Sequence, residues 1–292
     1  MVNVMSNVAP NTAQLEEVFR ALYPRRDDVA LQLRHRLDLA RFWSVKDGDY
    51  VLEVGCGQGD TTAVLAMLVG ESGRIVAVDK DSEAYGTPTL GESHAIVKSL
   101  PLGAGIDFLT STNLLAPQFD LPRNHFNLAV FSHSSWYMDS VEELRQLFTN
   151  TRVWAKRLGY AEWDLRPQYL NQTAHLIAVL LQAHIQAIHL EQTARHDRRG
   201  NIRTIVLPEV ARKSAEDAGW KIVEETVRPT STALRAGRSS EIAKAITMAN
   251  GIDRSLAHSE PIRELIRRMS ELLTQVSSSQ NISLSTYAFT AE

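Results

Sequence analysis

The 292-residue chain is short of cysteine, of surplus charge and of long apolar runs, and each shortage excludes something. Its single cysteine, Cys56, rules out an internal disulfide framework and a multi-thiolate zinc site. One lone thiol fits a reducing cytosol, so a cytoplasmic location is the expectation. Lys and Arg number 31 against 34 Asp and Glu, a formal charge of −3. That balance lacks the clustered basic charge that captures nucleic acid by displacing counterions, and no nucleic-acid partner is expected. The most apolar helical stretch, Leu176 to Ile188, is broken by Gln182 and His184. It falls short of the ~20 residues that cross a bilayer, so no membrane partner is expected and the stretch reads as a buried or cavity-lining helix. The opening MVNVMSNVAP has no basic run ahead of an apolar core and does not read as a secretory signal. What is present, 44% apolar and 22% charged residues, describes a globular rather than a disordered chain.

The organisation is helical first and then alternating. Leu15, Val18, Phe19 and Leu22 recur at helical spacing, as do Val29, Leu33, Leu37 and Ala40, with Thr12 and Asp27 as candidate N-caps. From Tyr50 the texture changes to short apolar runs separated by helical segments, the pattern of a parallel sheet covered on both faces. The predicted strands are Tyr50 to Val54, Arg74 to Val78, Ile106 to Leu109, Phe126 to Phe131, Tyr160 to Trp163, Lys221 to Val227 and Ile282 to Phe289. Helices are predicted over Asp60 to Leu68, roughly Gly91 to Leu100, Ser140 to Arg157, Pro208 to Ala218, Ser239 to Ala249 and Pro261 to Val276, and Gln168 to Ala194 reads as one long helix or two short ones. A basic turn, RHDRRGN, occupies Arg195 to Asn201.

The informative stretch is VLEVGCGQGDTT, Val51 to Thr62, where an apolar strand runs into Gly55, Gly57 and Gly59 before a helix begins. Glycine there permits a tight turn and lets a ligand approach bare backbone. The spacing G-x-G-x-G differs from the G-x-G-x-x-G of a dinucleotide site. Glu53 and Asp60 place negative charge where a pyrophosphate wants donors, which points to a cationic or zwitterionic ligand. The next strand, RIVAV, ends in Asp79, where a carboxylate accepts hydrogen bonds from ribose hydroxyls.

Together these residues resemble the class I S-adenosylmethionine-dependent methyltransferases, over roughly Tyr50 to Trp163. The resemblance implies a Rossmann-like α/β fold: a mostly parallel seven-stranded sheet with helices on both faces, plus helical additions. These additions are an N-terminal cap over residues 1–45 and insertions in the 46–292 methyltransferase domain at about 167–207 and 230–281. It implies S-adenosylmethionine as cofactor, with Glu53, Gly55, Cys56, Gly57 and Gly59 around its methionine moiety and Asp79 on its ribose. Lys80 lies beside the ribose or adenine, and Ser132 and His133 reach the sulfonium end. Where the family carries an acid after the third strand this chain reads LTSTNLL, leaving Asn113, Thr112 or Ser111 to offer an oxygen to the adenine.

Methyl transfer is an in-line displacement that needs alignment and exclusion of water, and a base only when the acceptor must lose a proton. His133, after an apolar strand and titrating near neutrality, is the candidate base or orienter; capping the strand is its competing role. Trp136, Tyr137, Trp163 and His175 are candidate walls of an acceptor pocket, against the alternative that they pack the core. Asp164 either orients an acceptor or pairs with Arg166. His175, His184 and His189 are spaced nine and five apart, which does not align them on one helical face, so no metal is expected. SHSSWY at Ser132 to Tyr137 lacks the Asn/Asp-Pro-Pro-aromatic stretch of many nucleic-acid base methyltransferases, and Asp164-Leu165 lacks the Asp-Asn pair of the metal-dependent catechol type. The reading is methyl transfer to an O or N atom of a small molecule. A SAM-binding enzyme of non-methylating chemistry, such as pericyclisation or isomerisation, is the alternative, followed by an RNA or protein methyltransferase. A homodimer is left open.

Overall fold

A computed structural model describes residues 12–24, 29–119, 121–193, 202–229, 235–252, 260–278 and 280–292. Asp27 and the basic turn at 195–201 lie outside these residues, as does the side chain of His189. Among the described residues the strands are β1 (Tyr50–Val54), β2 (Arg74–Val78), β3 (Ile106–Leu109), β4 (Leu128–Ser132), β5 (Leu158–Trp163), β6 (Ile222–Arg228) and β7 (Thr286–Ala291). The helices are α1 (Thr12–Leu22), α2 (Val29–Phe42), α3 (Asp60–Val69), α4 (Leu90–Lys98), α5 (Val141–Trp154), α6 (Thr173–Thr193), α7 (Pro208–Asp217), α8 (Arg235–Asn250) and α9 (Glu260–Val276). The strands make a seven-stranded sheet in the order β3-β2-β1-β4-β5-β7-β6. Two compact units divide the chain, Met1–Thr112 and Asn113–Glu292.

In the first unit β1 pairs in parallel with β2, and β2 with β3. The fully apolar faces of Val51, Leu52, Ile75 and Ala77 are buried, as parallel strands covered on both sides require. α1 and α2 pack against each other and against α3, and α1 also meets α4. Leu15, Val18, Phe19 and Leu22 of α1 are all buried, so the apolar spacing read from the sequence is the packed face. α4 starts at Leu90, one residue before its predicted start, because Thr89 closes a capping box: its Oγ1 accepts the Glu92 N–H at 3.2 Å and Glu92 Oε2 accepts the Thr89 N–H at 2.9 Å.

In the second unit β4 and β5 are parallel, and β7 runs antiparallel to both β5 and β6. α6, α8 and α9 share a core of Ala174, Ala178, Leu181, Ile185, Ala245, Ile266 and Leu273. All four strands here differ from their expected bounds: β5 starts two residues earlier, at Leu158, β6 is shifted by one residue, and β4 and β7 start late. Phe126 makes only an isolated bridge to Ala155, and β4 begins at Leu128. The final strand begins at Thr286 rather than Ile282, although the apolar alternation runs through both. The reason is that other groups take the backbone of Ile282 to Ser285. The Ile282 N–H goes to Asn171 O, Ser283 O to Gln172 Nε2, the Leu284 N–H to His175 Nδ1, and Ser285 O to the Asp164 N–H. Alternation predicts which side chains are buried there, and they are, but it cannot reveal who satisfies the backbone. The predicted helix from Gln168 instead begins as a 3₁₀ turn, Leu170–Gln172, and becomes α-helical at Thr173.

Candidate functional site

The turn leaving β1 is stitched to the end of β2. Gly55 and Cys56 both donate their N–H groups to Val78 O, at 2.8 and 3.0 Å, and Gly57 donates to Asp79 Oδ2 at 2.9 Å. The other carboxylate oxygen of Asp79 accepts the Asp81 N–H at 2.9 Å. Gly57 and Gly59 are both left-handed, with φ of 51° and 85°. A Cβ at Gly57 would meet nothing within 4 Å, whereas one at Gly59 would sit 3.1 Å from the Phe108 ring. Gly57 therefore leaves open space above bare backbone, and Gly59 serves packing.

The charge at this turn corrects the sequence reading. Asp60 is bound by Arg36 of α2 through Nε at 3.1 Å and Nη2 at 2.7 Å, with both side chains 14% exposed. Glu53 is buried, accepts the Thr62 hydroxyl at 2.6 Å, and is pushed up to about 8 by burial, with the Asp60 charge adding to the rise. Glu53 and Asp60 therefore do not present two free negative charges to a ligand. Burial also raises the Asp79 carboxyl, opposed by the Asp81 and Gly57 amides. Arg36 was legible in principle, because it lies on the Val29, Leu33, Leu37, Ala40 face of α2, and an arginine there demands a buried acid.

His94 of α4 was missed entirely. Its Nε2 donates to Gly57 O at 2.8 Å and lies 4.0 Å from Cys56 Sγ, while its ring stacks on Phe108 at 3.8 Å and 8°. A carbonyl only accepts, so Nε2 carries the proton. Burial lowers the His94 pKa and raises that of the Cys56 thiol. Lys80 is half-buried. Thr112 donates its N–H to Asp79 O at 3.0 Å and its hydroxyl to Thr110 O at 3.0 Å.

In the second unit Asn113 Oδ1 accepts the Leu115 N–H at 2.9 Å. Ser132 ends β4, and His133 follows with φ of 52°, its N–H donated to Ala161 O at 2.8 Å. A non-glycine residue in this region is strained, a feature that clusters at functional positions. His133 Nδ1 lies 3.4 Å from Glu162 Oε1, and the His133 ring lies 4.4 Å from Trp163. Glu162, the penultimate residue of β5, is buried and was not anticipated. Its Oε2 accepts Ser135 Oγ at 2.8 Å and the Trp136 N–H at 3.3 Å, and Oε1 accepts the Trp163 N–H at 3.0 Å. Burial pushes it up to about 7, against those donors.

The aromatic candidates divide. Trp136 is buried, with its carbonyl taken by the Arg203 and Thr204 amides, so it packs as core. Tyr137 is 36% exposed and Trp163 half-buried. His175 is buried, meets Trp163 edge-on at 5.5 Å, and accepts the Leu284 N–H on Nδ1 at 2.9 Å. Asp164 holds Arg166 through Nε at 2.8 Å and Nη2 at 2.9 Å, the strand-end ion pair of its two readings.

Residues 35–89, which contain this glycine turn, match the family described as protein-L-isoaspartate(D-aspartate) O-methyltransferase. A curated relative, methyltransferase phomM' of Diaporthe leptostromiformis, is 29% identical over 176 residues, covering 52% of this chain and 44% of that protein. The chain thus spans about half the length of these curated relatives. A solved structure, the cyclopropane-fatty-acyl-phospholipid synthase-like protein from Lactobacillus casei, is 31% identical, with a TM-score of 0.77 over 96% of this chain and 99% of that one. The chain belongs to the class I S-adenosylmethionine-dependent methyltransferases. The methyltransferase fold is also shared with the [4+2]-cyclase SpnF, at 16% identity and a TM-score of 0.50, covering 89% of this chain and 85% of that one. That likeness concerns fold alone. The family's cofactor fits the residues present: Gly57 offers a cradle that a Cβ would fill, beside a carboxylate with lone pairs left to accept hydroxyls. No helix among the described residues is long and apolar enough to cross a membrane.

Proposed function

We propose that the protein transfers a methyl group from S-adenosylmethionine to an oxygen or nitrogen of a small molecule, without a metal. The observation that carries the reading is the open backbone at Gly57 clasped by Asp79. In this reading the turn from Gly55 to Gly59, backed by Glu53 and Cys56, holds the methionine moiety and Asp79 accepts the ribose hydroxyls. Lys80 and Thr112 flank the nucleoside. When bound, the cofactor supplies an electrophilic methyl carbon whose bonding pair leaves with sulfur. His133 takes the acceptor's proton, and Tyr137 and Trp163 meet the acceptor's body. Trp136 and His175 act from behind, through packing and through the Leu284 amide. The even charge balance supports a small molecule over nucleic acid.

Titration calorimetry with S-adenosylmethionine tests the cofactor half: wild type binds, while Gly57→Arg and Asp79→Ala bind weakly or not at all. Unchanged affinity in both variants refutes the placement. Incubation with labelled cofactor and a metabolite extract tests the reaction through formation of S-adenosylhomocysteine. Binding and substrate turnover without S-adenosylhomocysteine would favour non-methylating chemistry.

A further inference from the structure

We propose that Glu162 is a positioning residue that orients His133 and balances its charge, and that the acceptor is accordingly a hydroxyl or a protonated nitrogen rather than an atom without a proton. This rests on the reading of His133 as base. The two side chains come from the ends of adjacent parallel strands, β4 and β5, whose register pairs Ser132 with Ala161, so the residues that follow each are brought side by side. His133 Nδ1 and Glu162 Oε1 are 3.4 Å apart, within ion-pair distance once the imidazole is protonated.

The carboxylate is built in rather than incidental. Ser135 Oγ donates to it at 2.8 Å, leaving the Ser135 oxygen to accept the Tyr160 hydroxyl at 2.9 Å, so a chain runs from Tyr160 through Ser135 to Glu162. The Trp136, Trp163 and Ser135 amides are further donors to it. Across the sheet Glu162 is in register with Tyr287 of β7, whose hydroxyl donates to Glu225 of β6 at 2.8 Å. Among the described residues, His133, Tyr160 and Tyr287 are titratable groups set around it, with His175 one ring further, beyond Trp163. A buried carboxyl with several donors and one imidazole is poised to accept the charge that the imidazole gains.

The proton step balances simply. The acceptor O–H or N–H bond breaks, its electron pair stays on the acceptor atom, and the proton passes to His133 Nε2. Nδ1–H then points at the Glu162 carboxylate, so the imidazolium forms beside a negative charge. The proton leaves to solvent after product departs. An acceptor with no proton to lose, such as a thioether, would need no such pair.

The test uses the full chain without substrate. Nuclear magnetic resonance of imidazole-labelled protein follows the His133 titration in wild type and Glu162→Gln. The expected result is a His133 midpoint lower by about one pH unit in Glu162→Gln, a tenfold weaker hold on the proton, with the Nδ1–H tautomer less populated. Ser135→Ala, which removes one donor, provides a second route should Glu162→Gln fold poorly: it should move the Glu162 carboxyl titration upward, leave less carboxylate beside the imidazole at a given pH, and so lower the His133 midpoint as well. An unmoved midpoint and tautomer in a folded variant overturns the pairing. Because the readout needs neither cofactor nor acceptor, it separates failure of this pairing from failure of the methyl-transfer reading, which calorimetry and S-adenosylhomocysteine formation decide.

Discussion

Asp79 Oδ2 accepts the N–H of Gly57 at 2.9 Å, so one carboxylate at the tip of the second strand both shapes the turn after the first and stands beside its open backbone. The same turn is held from the opposite side by His94, which donates to the Gly57 carbonyl. Gly57 is thus fixed through both its polar groups while its missing side chain leaves space, a combination that suits ligand binding more than packing.

Gly57→Ala and Gly59→Ala should therefore fail differently. Both place a side chain at positive φ, at about 1–2 kcal/mol. At Gly57 nothing else is crowded, so stability should fall by little more than that while S-adenosylmethionine affinity drops at least tenfold. At Gly59 the new methyl meets Phe108 at 3.1 Å, and the larger loss should be in stability. Urea unfolding and calorimetry on both variants check the ranking; the reverse order would remove Gly57 from the cofactor site.

Arg36→Met should destabilise the protein by about 3 kcal/mol, the low end of the range for removing one partner of a buried ion pair. The low end applies because both side chains keep 14% exposure. Removal leaves Asp60 without its cation and Glu53 without a nearby positive charge. Asp60→Asn in the Arg36→Met background should restore part of the loss, since it removes the stranded charge. A double-mutant cycle with no coupling would show the pair to be inert.

The glycine spacing, the acid ending the second strand and the alternation of short apolar runs with helices are local patterns, and they carried the fold and the geometry of the glycine turn. What stayed illegible depends on groups brought together from afar. Arg36 meets Asp60 from another helix, His94 reaches Gly57 from α4, and Glu162 meets His133 across two strands. The alternation at Ile282 to Ser285 was real as burial but misled as strand, because Gln172, His175, Asn171 and Asp164 capture that backbone. Negative charge at Glu53 was overcounted because sequence shows a carboxyl and not its desolvation.

Glu53 should make the fold less stable as pH rises. It is held near 8 in the folded state, above its ordinary range. Below about pH 4 it is protonated both folded and unfolded, and its contribution is complete. Between there and about pH 8 the unfolded chain releases the proton while the folded one keeps it, so stability falls by up to about 1.4 kcal/mol per pH unit. Glu162, held near 7, adds a slope of the same sign over a narrower window. Glu53→Gln keeps an acceptor for Thr62 and should flatten the profile, gaining stability relative to wild type at pH 8 but not at pH 4. Unfolding curves across that range check it, and parallel profiles would show that Glu53 is ionised in the folded protein.

Cys56 should resist alkylation in the native protein, although it sits in the turn proposed to hold the cofactor. It is 3% exposed, and burial, followed by the charges of Glu53 and Asp79, holds the thiol well above its usual pKa. The nucleophile is the thiolate, so both access and ionisation oppose reaction. Labelling then requires local opening of the turn, and an opening free energy of about 3 kcal/mol corresponds to roughly 100-fold protection relative to the unfolded chain. His94→Ala removes the donor to Gly57 O and the stack on Phe108, and should speed labelling while leaving unfolded-state reactivity the same. S-adenosylmethionine should slow labelling in wild type, since a ligand on the Gly57 backbone opposes opening. Mass-spectrometric labelling rates with iodoacetamide at pH 8 measure all three; native labelling as fast as in denaturant would show the turn to be open to solvent.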